Sequence, residues 1–356
     1  MENKFVLDGN KATGNSVAFD NKKYITKQKE NIMKRVKDFD KLYIEFGGKL
    51  FNDTHAARVL PGYDPNIKLE LLKEIADHTD AIIPIYSKDI ISGKIHSGTG
   101  VKYTEFVIDT IFTLRNLGIN IAGVLITRMD EMNLYEYPEI EKFIESLRKL
   151  DVQTYTHNMT KGYPHDVTTI VSPEGYGKNQ YIETTRPIVI VTAPGANSGK
   201  LATCLSQLYH HHQKGIKAGY AKFETFPVWD LSINDPINIA YEAATLDIDD
   251  KNKIDPFHLK AYGEVTVNYN RDIETFPILK CILERITGEE CIYKSPTDMG
   301  VNCISSGIVN KAEIDTAASL EVAKRHHDAL RSYITRDCSL DVLLWAEMLV
   351  EKVLIR

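Results

Sequence analysis

No stretch of this sequence is apolar for the length that a membrane-spanning helix requires. The opening MENKFVLDGNKATGN also lacks the apolar run that a secretory signal places after its basic residues. The chain is therefore expected in the cytoplasm, without a membrane partner. Its five cysteines, Cys204, Cys281, Cys291, Cys303 and Cys338, are odd in number and include no Cys-x-x-Cys pair. That argues against a disulfide framework and a structural zinc site and leaves reduced, mostly buried thiols as the expectation. Net basic charge is missing too, since 43 Lys and Arg face 49 Asp and Glu for a formal charge of -6. A general nucleic-acid binder is not expected on that balance, although local basic pockets are allowed.

What is present suits an ordinary globular protein, with 43% hydrophobic and 26% charged residues over 356 positions. Residues 1–18 are polar and read as a flexible tail. From residue 19 onward, apolar runs alternate with amphipathic stretches. A helix over 21–39 precedes the strand KLYIEF (41–46), and a helix over 67–78 precedes AIIPIY (81–86). A helix over 103–117 leads to IAGVLIT (121–127), and one over 137–150 leads to VQTYTH (152–157). After a polar, turn-rich segment the pattern restarts with PIVIVTA (187–193), a helix ending at Gly215, and IKAGYAKFE (216–224). Strands alternating with helices at this spacing predict an α/β fold with a mostly parallel sheet. The region from Phe226 to Asn302 is rich in Tyr, Asp, Asn and Pro with weak periodicity. It reads as a substrate-covering insertion, bounded at 232–302 after an α/β domain of 19–231. Residues 303–356 form a helical C-terminal segment.

The strongest local signal is the turn PGANSGK (194–200) between a strand and a helix, a geometry that aims backbone N–H groups and a helix dipole at an anion. Gly195, Ala196, Asn197, Ser198, Gly199, Lys200 and Leu201 are the candidate contacts for the phosphates of ATP or another nucleotide. Lys200 stands where the lysine of a Walker A loop stands. Pro194 replaces the first glycine of that pattern, and Leu201 replaces the hydroxyl that binds Mg2+. Thr203 or Ser198 is expected to substitute, unless the metal is held elsewhere. The competing reading is an ordinary glycine-containing helix start.

Lys222 and Glu224 fall at the carboxyl end of the next strand, where open α/β sheets place ligands. Glu45 ends its own strand before two glycines and is a candidate to hold magnesium or orient water. A surface charge pair is the alternative for each. Asp247, Asp249, Asp250 and Asp255 with His258 suggest a metal or a basic substrate, against a merely solvated acidic loop. His210, His211 and His212 follow one another on a helix and cannot all face one ion.

The phosphate turn, the following Gly-Tyr-x-Lys strand and the Glu-x-Gly-Gly segment 45–48 resemble the dethiobiotin-synthetase class of P-loop proteins. In that class the acidic segment follows the P-loop, so the resemblance implies a circular permutation, with strands 41–46 and 188–193 in one sheet. It also implies that ITRMD (126–130) lies where the nucleotide base is read, making Asp130 a base contact. A broader resemblance rests on IEFGGKLFNDTHAARVLPGYDP (44–65), EGYGKNQYIETTRP (174–187), GKLATCLSQLYH (199–210), GIKAGYAKFETFPVWDL (215–231), IDPFHLKAYG (254–263), VNYNRDIE (267–274) and YKSPTDMGVN (293–302). On these runs the chain resembles a bacterial family catalogued only as domain of unknown function 1846. That likeness implies a homo-oligomer and a further C-terminal portion beyond this chain's end, but no reaction.

The expected function is an ATP-dependent ligase or phosphotransferase acting on a small molecule. In this reading Lys200 stabilises the phosphates, Lys222 bridges nucleotide and acceptor, Glu224 assists at the same strand end, and Glu45 and Thr203 serve Mg2+. Asp247, His258, Asn268, Arg271 and Asp298 are the expected acceptor contacts. A nucleotide-sensing or scaffold protein without turnover is the alternative, favoured by Leu201.

Overall fold

The computed structural model of the chain describes residues 17–129 and 137–354. Six strands, β1 (Lys41–Phe46), β2 (Thr79–Tyr86), β3 (Asn120–Thr127), β4 (Thr154–His157), β5 (Ile188–Val191) and β6 (Ala218–Phe223), form one sheet in the order β4-β3-β2-β5-β1-β6. All its pairings are parallel. Because side chains alternate along a strand, Leu42, Ile44, Ile188 and Ile190 pack on one face. That face is covered by the helices Asn21–Val36, Ile67–Glu74, Tyr103–Asn116 and Pro138–Lys149. Tyr43, Val189, Val191 and Tyr220 point to the other face, under the helices Lys200–Gln213 and Asn270–Thr287. Burial on both faces explains why the strand sequences are nearly continuous apolar runs.

This order contains a reversal. From β1 the chain moves outward through β2, β3 and β4, then returns to insert β5 between β2 and β1 and passes over β1 to β6. Right-handed crossovers running in opposite directions put their helices on opposite faces, so the chain diverges after β1 and after β5. Their carboxyl ends flank a crevice at the switch point of the sheet, where such folds hold ligands.

Strand positions agree with the sequence pattern to within a few residues, but the region 232–302 is more regular than its composition suggests. It holds the helices Pro236–Ala244, Pro256–Tyr262 and Asn270–Thr287, and a small antiparallel pair, Asn252–Ile254 with Val267–Tyr269. The longest of these helices contains Pro277, which reads in sequence as a breaker. It persists because Phe276, Leu279, Ile282, Leu283 and Ile286 bury a continuous stripe against the sheet. The helices Lys311–Ile334 and Leu340–Leu354 enclose a second core with Phe19, Tyr24, Tyr63 and Phe226. Of residues 1–18 only Val17 and Ala18 are described. Ala18 is buried, its carbonyl accepting from the N–H groups of Val309 and Asn310. Among the described residues no helix is long and apolar enough to cross a membrane, and all five cysteines are free.

The start of β5 is fixed by the fully buried Asp80 on β2, whose carboxylate accepts from the N–H groups of Thr185 (2.6 Å) and Arg186 (2.9 Å) and from the Asn120 amide (3.0 Å). Asp80→Ala removes the shared acceptor of these part-buried donors. It is expected to destabilise the fold by about 2 kcal/mol, the worth of hydrogen bonds to a charged group, seen as a lower urea midpoint; an unchanged midpoint contradicts this role. Burial also holds two imidazoles neutral, His157 at about 3 and His211 at about 4. Both lie below the unfolded value near 6.5, so the unfolded chain binds more protons between these limits. Their contribution is complete above pH ~6.5 and is lost as pH falls toward 4. The melting temperature should therefore drop over that window, and less steeply in a His157→Gln, His211→Gln double variant.

Candidate functional site

After β5 the chain turns through 192–199 into the helix Lys200–Gln213. Gly199 closes the turn at φ +94°, and a Cβ there would lie 2.9 Å from Thr127 Cγ2 at the end of β3. Only glycine meets both demands. Thr127 Oγ1 donates to the Ser198 carbonyl (3.0 Å) and Ser198 Oγ to the Gly195 carbonyl (3.1 Å), so the turn is braced from beneath. Among the described residues, the backbone N–H groups from Gly195 to Ala202 have no hydrogen-bond partner. A run of free amides at the positive end of a 14-residue helix is an anion nest.

The turn opens into a cavity of about 1110 Å³ that runs across the carboxyl ends of the strands. Gly195, Ala196, Asn197, Gly199, Lys200 and Leu201 line it together with Glu45, Lys222, Glu224 and Arg271. The sheet explains part of this meeting, because β1 pairs with both β5 and β6 and sets Glu45 beside Lys222 in register. On the β3 side the cavity wall carries Arg128, whose guanidinium lies 4.5 Å from the centre of the Tyr86 ring. On the β6 side, Lys222 Nζ contacts Asp272 Oδ2 (2.5 Å) and Glu224 Oε1 (3.2 Å). Arg271 contacts Asp250 (3.0 Å), Asp272 (3.6 Å) and Glu224 (3.9 Å). Tyr220 donates to Glu45 Oε2 at 2.8 Å.

Burial would lower the pKa of Lys222, but Asp272, Glu224 and Glu45 outweigh it and hold the ammonium charged. Burial would likewise raise Asp272, yet Lys222 and Arg271 pull it below the ordinary range. For Glu224 burial wins over Lys222, and its carboxyl sits above the usual value. Asp250 is raised for the same reason, against Arg271. Groups with environments this different, gathered in one cavity, are what acid–base chemistry requires.

Other sequence candidates lie elsewhere. Thr203 is buried, and its hydroxyl donates to the Gly199 carbonyl (2.8 Å), so it does not line the cavity and is spent within its own helix. His258 (to Ser295 Oγ, 2.9 Å), Asn268 (to the Tyr269 N–H, 2.8 Å) and Asp298 (to the N–H groups of Lys294 and Ser295) tie together local turns outside the cavity lining. Of the four acceptor candidates whose side chains are described, only Arg271 lines the cavity. The backbone of Asp247 lies in the short turn Leu246–Ile248, and Asp130 falls outside the described residues. Asp250 was visible in the sequence as one of an acidic group, whereas Asp272 and Tyr220 carried no separate signal. Among the described residues no group of three or more His, Cys, Asp or Glu is arranged to hold a metal ion. Asp255 instead accepts from the N–H groups of Phe257, His258 and Thr297, while His210, His211 and His212 each bond a different partner.

The model of the family described as "Domain of unknown function DUF1846, N-terminal" matches residues 17–354. The chain belongs to the DUF1846 family. A UPF0371 protein of Clostridium botulinum (strain Alaska E43 / Type E3) is 53% identical over 310 residues, covering 87% of this chain and 61% of the relative. A UPF0371 protein of Clostridium tetani (strain Massachusetts / E88) is also 53% identical over 310 residues, with the same coverage of each chain. A UPF0371 protein of Clostridioides difficile (strain 630) is 51% identical over 317 residues, covering 89% of this chain and 62% of the relative. This DUF1846 chain thus spans about three fifths of the length of these relatives.

Gly47 follows β1, and a Cβ there would lie 2.4 Å from Glu224 Cγ. A Gly47→Ala variant should push Glu224 away from Lys222. A crystal structure that keeps Glu224 in place would show that the glycine is not needed for this approach.

Proposed function

We propose that this chain binds the phosphates of ATP or another nucleotide at the turn 194–199, and that it acts as an ATP-dependent ligase or phosphotransferase on a small molecule. One observation carries the reading: free amides and Lys200 share a cavity with an ordered charge network that can face an acceptor. In this proposal Lys200 and the amides hold the terminal phosphates, and Lys222 lies between nucleotide and acceptor. Glu224, with its raised carboxyl, is placed to accept or return a proton. The pairing of β1 with β5 in one sheet agrees with a permuted P-loop arrangement.

Magnesium fits this site only in part. Leu201 offers no hydroxyl and Thr203 is committed, so the protein contribution falls to Glu45, completed by phosphate oxygens and water. One or two carboxylates are an ordinary share for this ion. When bound, it would neutralise charge on the phosphates. The same reading includes a homo-oligomer in the cytoplasm, without nucleic-acid or membrane partners. Support for assembly comes from Leu340, Leu344 and Met348, exposed along one face of the last helix. A nucleotide sensor without turnover is the second reading, and Leu201 favours it.

Thermal shifts with ATP, GTP and sugar phosphates, with and without magnesium, followed by assay of phosphate release, separate these readings. ATP or GTP should raise the melting temperature, and Lys200→Ala should weaken that binding on the order of tenfold or more, as loss of one charged hydrogen bond implies. Release supports the enzyme, and stabilisation without release supports the sensor. An unchanged response in Lys200→Ala removes the site assignment.

A further inference from the structure

In the half of the cavity toward β6 the charged side chains already serve one another. Lys222 and Arg271 share Glu224, Asp250 and Asp272, and the lining Lys68 is paired with Asp53 (3.1 Å). The other half, around the glycine turn, has a wall of a different kind beside the helix Tyr103–Asn116. There Tyr86, His96 and Phe106 line the cavity as half-buried aromatic rings. The His96 ring lies on Phe106, with centroids 4.2 Å apart and planes 18° from parallel. Burial and the nearby Lys49 ammonium hold its pKa below the ordinary value, so at neutral pH it is a flat, uncharged ring. A tight hairpin fixes it in place: the His96 N–H donates to the Val101 carbonyl (2.8 Å), and Nδ1 meets Thr99 Oγ1 (3.1 Å). The ring is therefore positioned before any ligand arrives, which lowers the cost of binding one.

Tyr103 joins this stack to the glycine turn. Its hydroxyl packs so closely on Gly195 that a Cβ there would have no room, and its ring centre is 6.1 Å from that of His96. Phe106 stands on the same helix as Tyr103, about 4.5 Å further along its axis. Stacked rings that end at a cavity leave aromatic surface to be covered. The base of a nucleotide is such a cover, being flat, neutral and tethered through its sugar to phosphates. We propose that the nucleoside of the bound nucleotide lies on this wall, its base stacked on the His96 ring beside Phe106, while its phosphates pass Tyr103 to the turn 194–199. This rests on the nucleotide reading above and names the group that selects a nucleoside over a bare or sugar-linked phosphate. It leaves the β6 half to the acceptor. Stacking reads no base edge, so ATP and GTP are both accepted.

The test is calorimetric titration of the full chain, with magnesium present, using ATP, GTP and inorganic triphosphate. Both nucleotides should bind more tightly than triphosphate. His96→Ala, checked for folding by circular dichroism, should weaken both by about tenfold, the worth of one stacked base, and leave triphosphate unchanged. His96→Phe keeps a flat ring and should retain most of the nucleotide affinity. Equal loss of nucleotide and triphosphate in His96→Ala, equal loss of nucleotide in the two variants, or an unchanged nucleotide affinity in His96→Ala overturns the proposal. If ATP binding survives Lys200→Ala but falls in His96→Ala, the turn loses its assignment and the stack remains. If ATP binding falls in Lys200→Ala but not in His96→Ala, the turn stands and the stack is wrong. Failure of all three ligands to bind removes both.

Discussion

The four residues of β5 are hydrogen-bonded to β1 on one side and β2 on the other, with no part of the strand exposed. Everything in the candidate site depends on that insertion. The Asp80 carboxylate fixes where the strand begins, by holding the N–H groups of Thr185 and Arg186. Arg186 in turn donates to the carbonyls of Ala76, Thr79 and Gly118, so the approaches to β2, β3 and β5 share one polar anchor. With its entry fixed and its register set on both sides, the strand has one place to end. The glycine turn is therefore delivered to the switch point of the sheet, and its free amides follow from that position.

The charge network beside the turn has a different physical basis. Removing Lys222 and its neighbours from water is costly unless partners replace the solvent, and here each cation contacts more than one carboxylate. Glu45, Glu224, Asp250 and Asp272 share the cavity wall with Lys222 and Arg271. A folded core would gain more from apolar packing than from such a lining.

Local patterns made the sheet legible. β1, β2, β3, β5 and β6 are apolar runs bounded by turn residues, and Lys41–Phe46 coincides with the segment read from sequence. The glycine turn before Lys200 was legible for the same reason, because strand, glycine and lysine are contiguous. Lys222, Glu224 and Glu45 could be placed at strand ends, although their register against one another belongs to the parallel pairing and not to any one segment. The far wall was legible only at Arg271. Asp272 beside it enters on a helix hidden by Pro277, while His258, Asn268 and Asp298, chemically similar in sequence, are consumed by turns. Residue type could not separate a side chain facing the cavity from one satisfying a backbone N–H, because both uses favour the same short polar groups.

The substitution of Leu201 for a metal-binding hydroxyl bears on how the two halves would cooperate. A hydroxyl at that position would hold the ion on the phosphate side of the cavity, against the helix start. With Leu201 there, and with Thr203 turned onto the Gly199 carbonyl, the one carboxylate that adjoins β5 from the β1 side is Glu45. Its Oε2 is fixed by Tyr220, a residue of β6, so its position depends on the strand that also carries Lys222. In the proposed function Glu45 would be the protein group that holds an ion, and the ion would supply neutralising charge beside that of Lys222, its partner in the β1–β6 register. Charge on a group transferred between the two halves would then be met from the β1–β6 edge, while the free amides keep the remaining phosphates in place. On the proposed reading, Leu201 therefore shifts the weight of any metal-assisted step from the turn to Glu45, whose position the pairing of β1 with β6 decides.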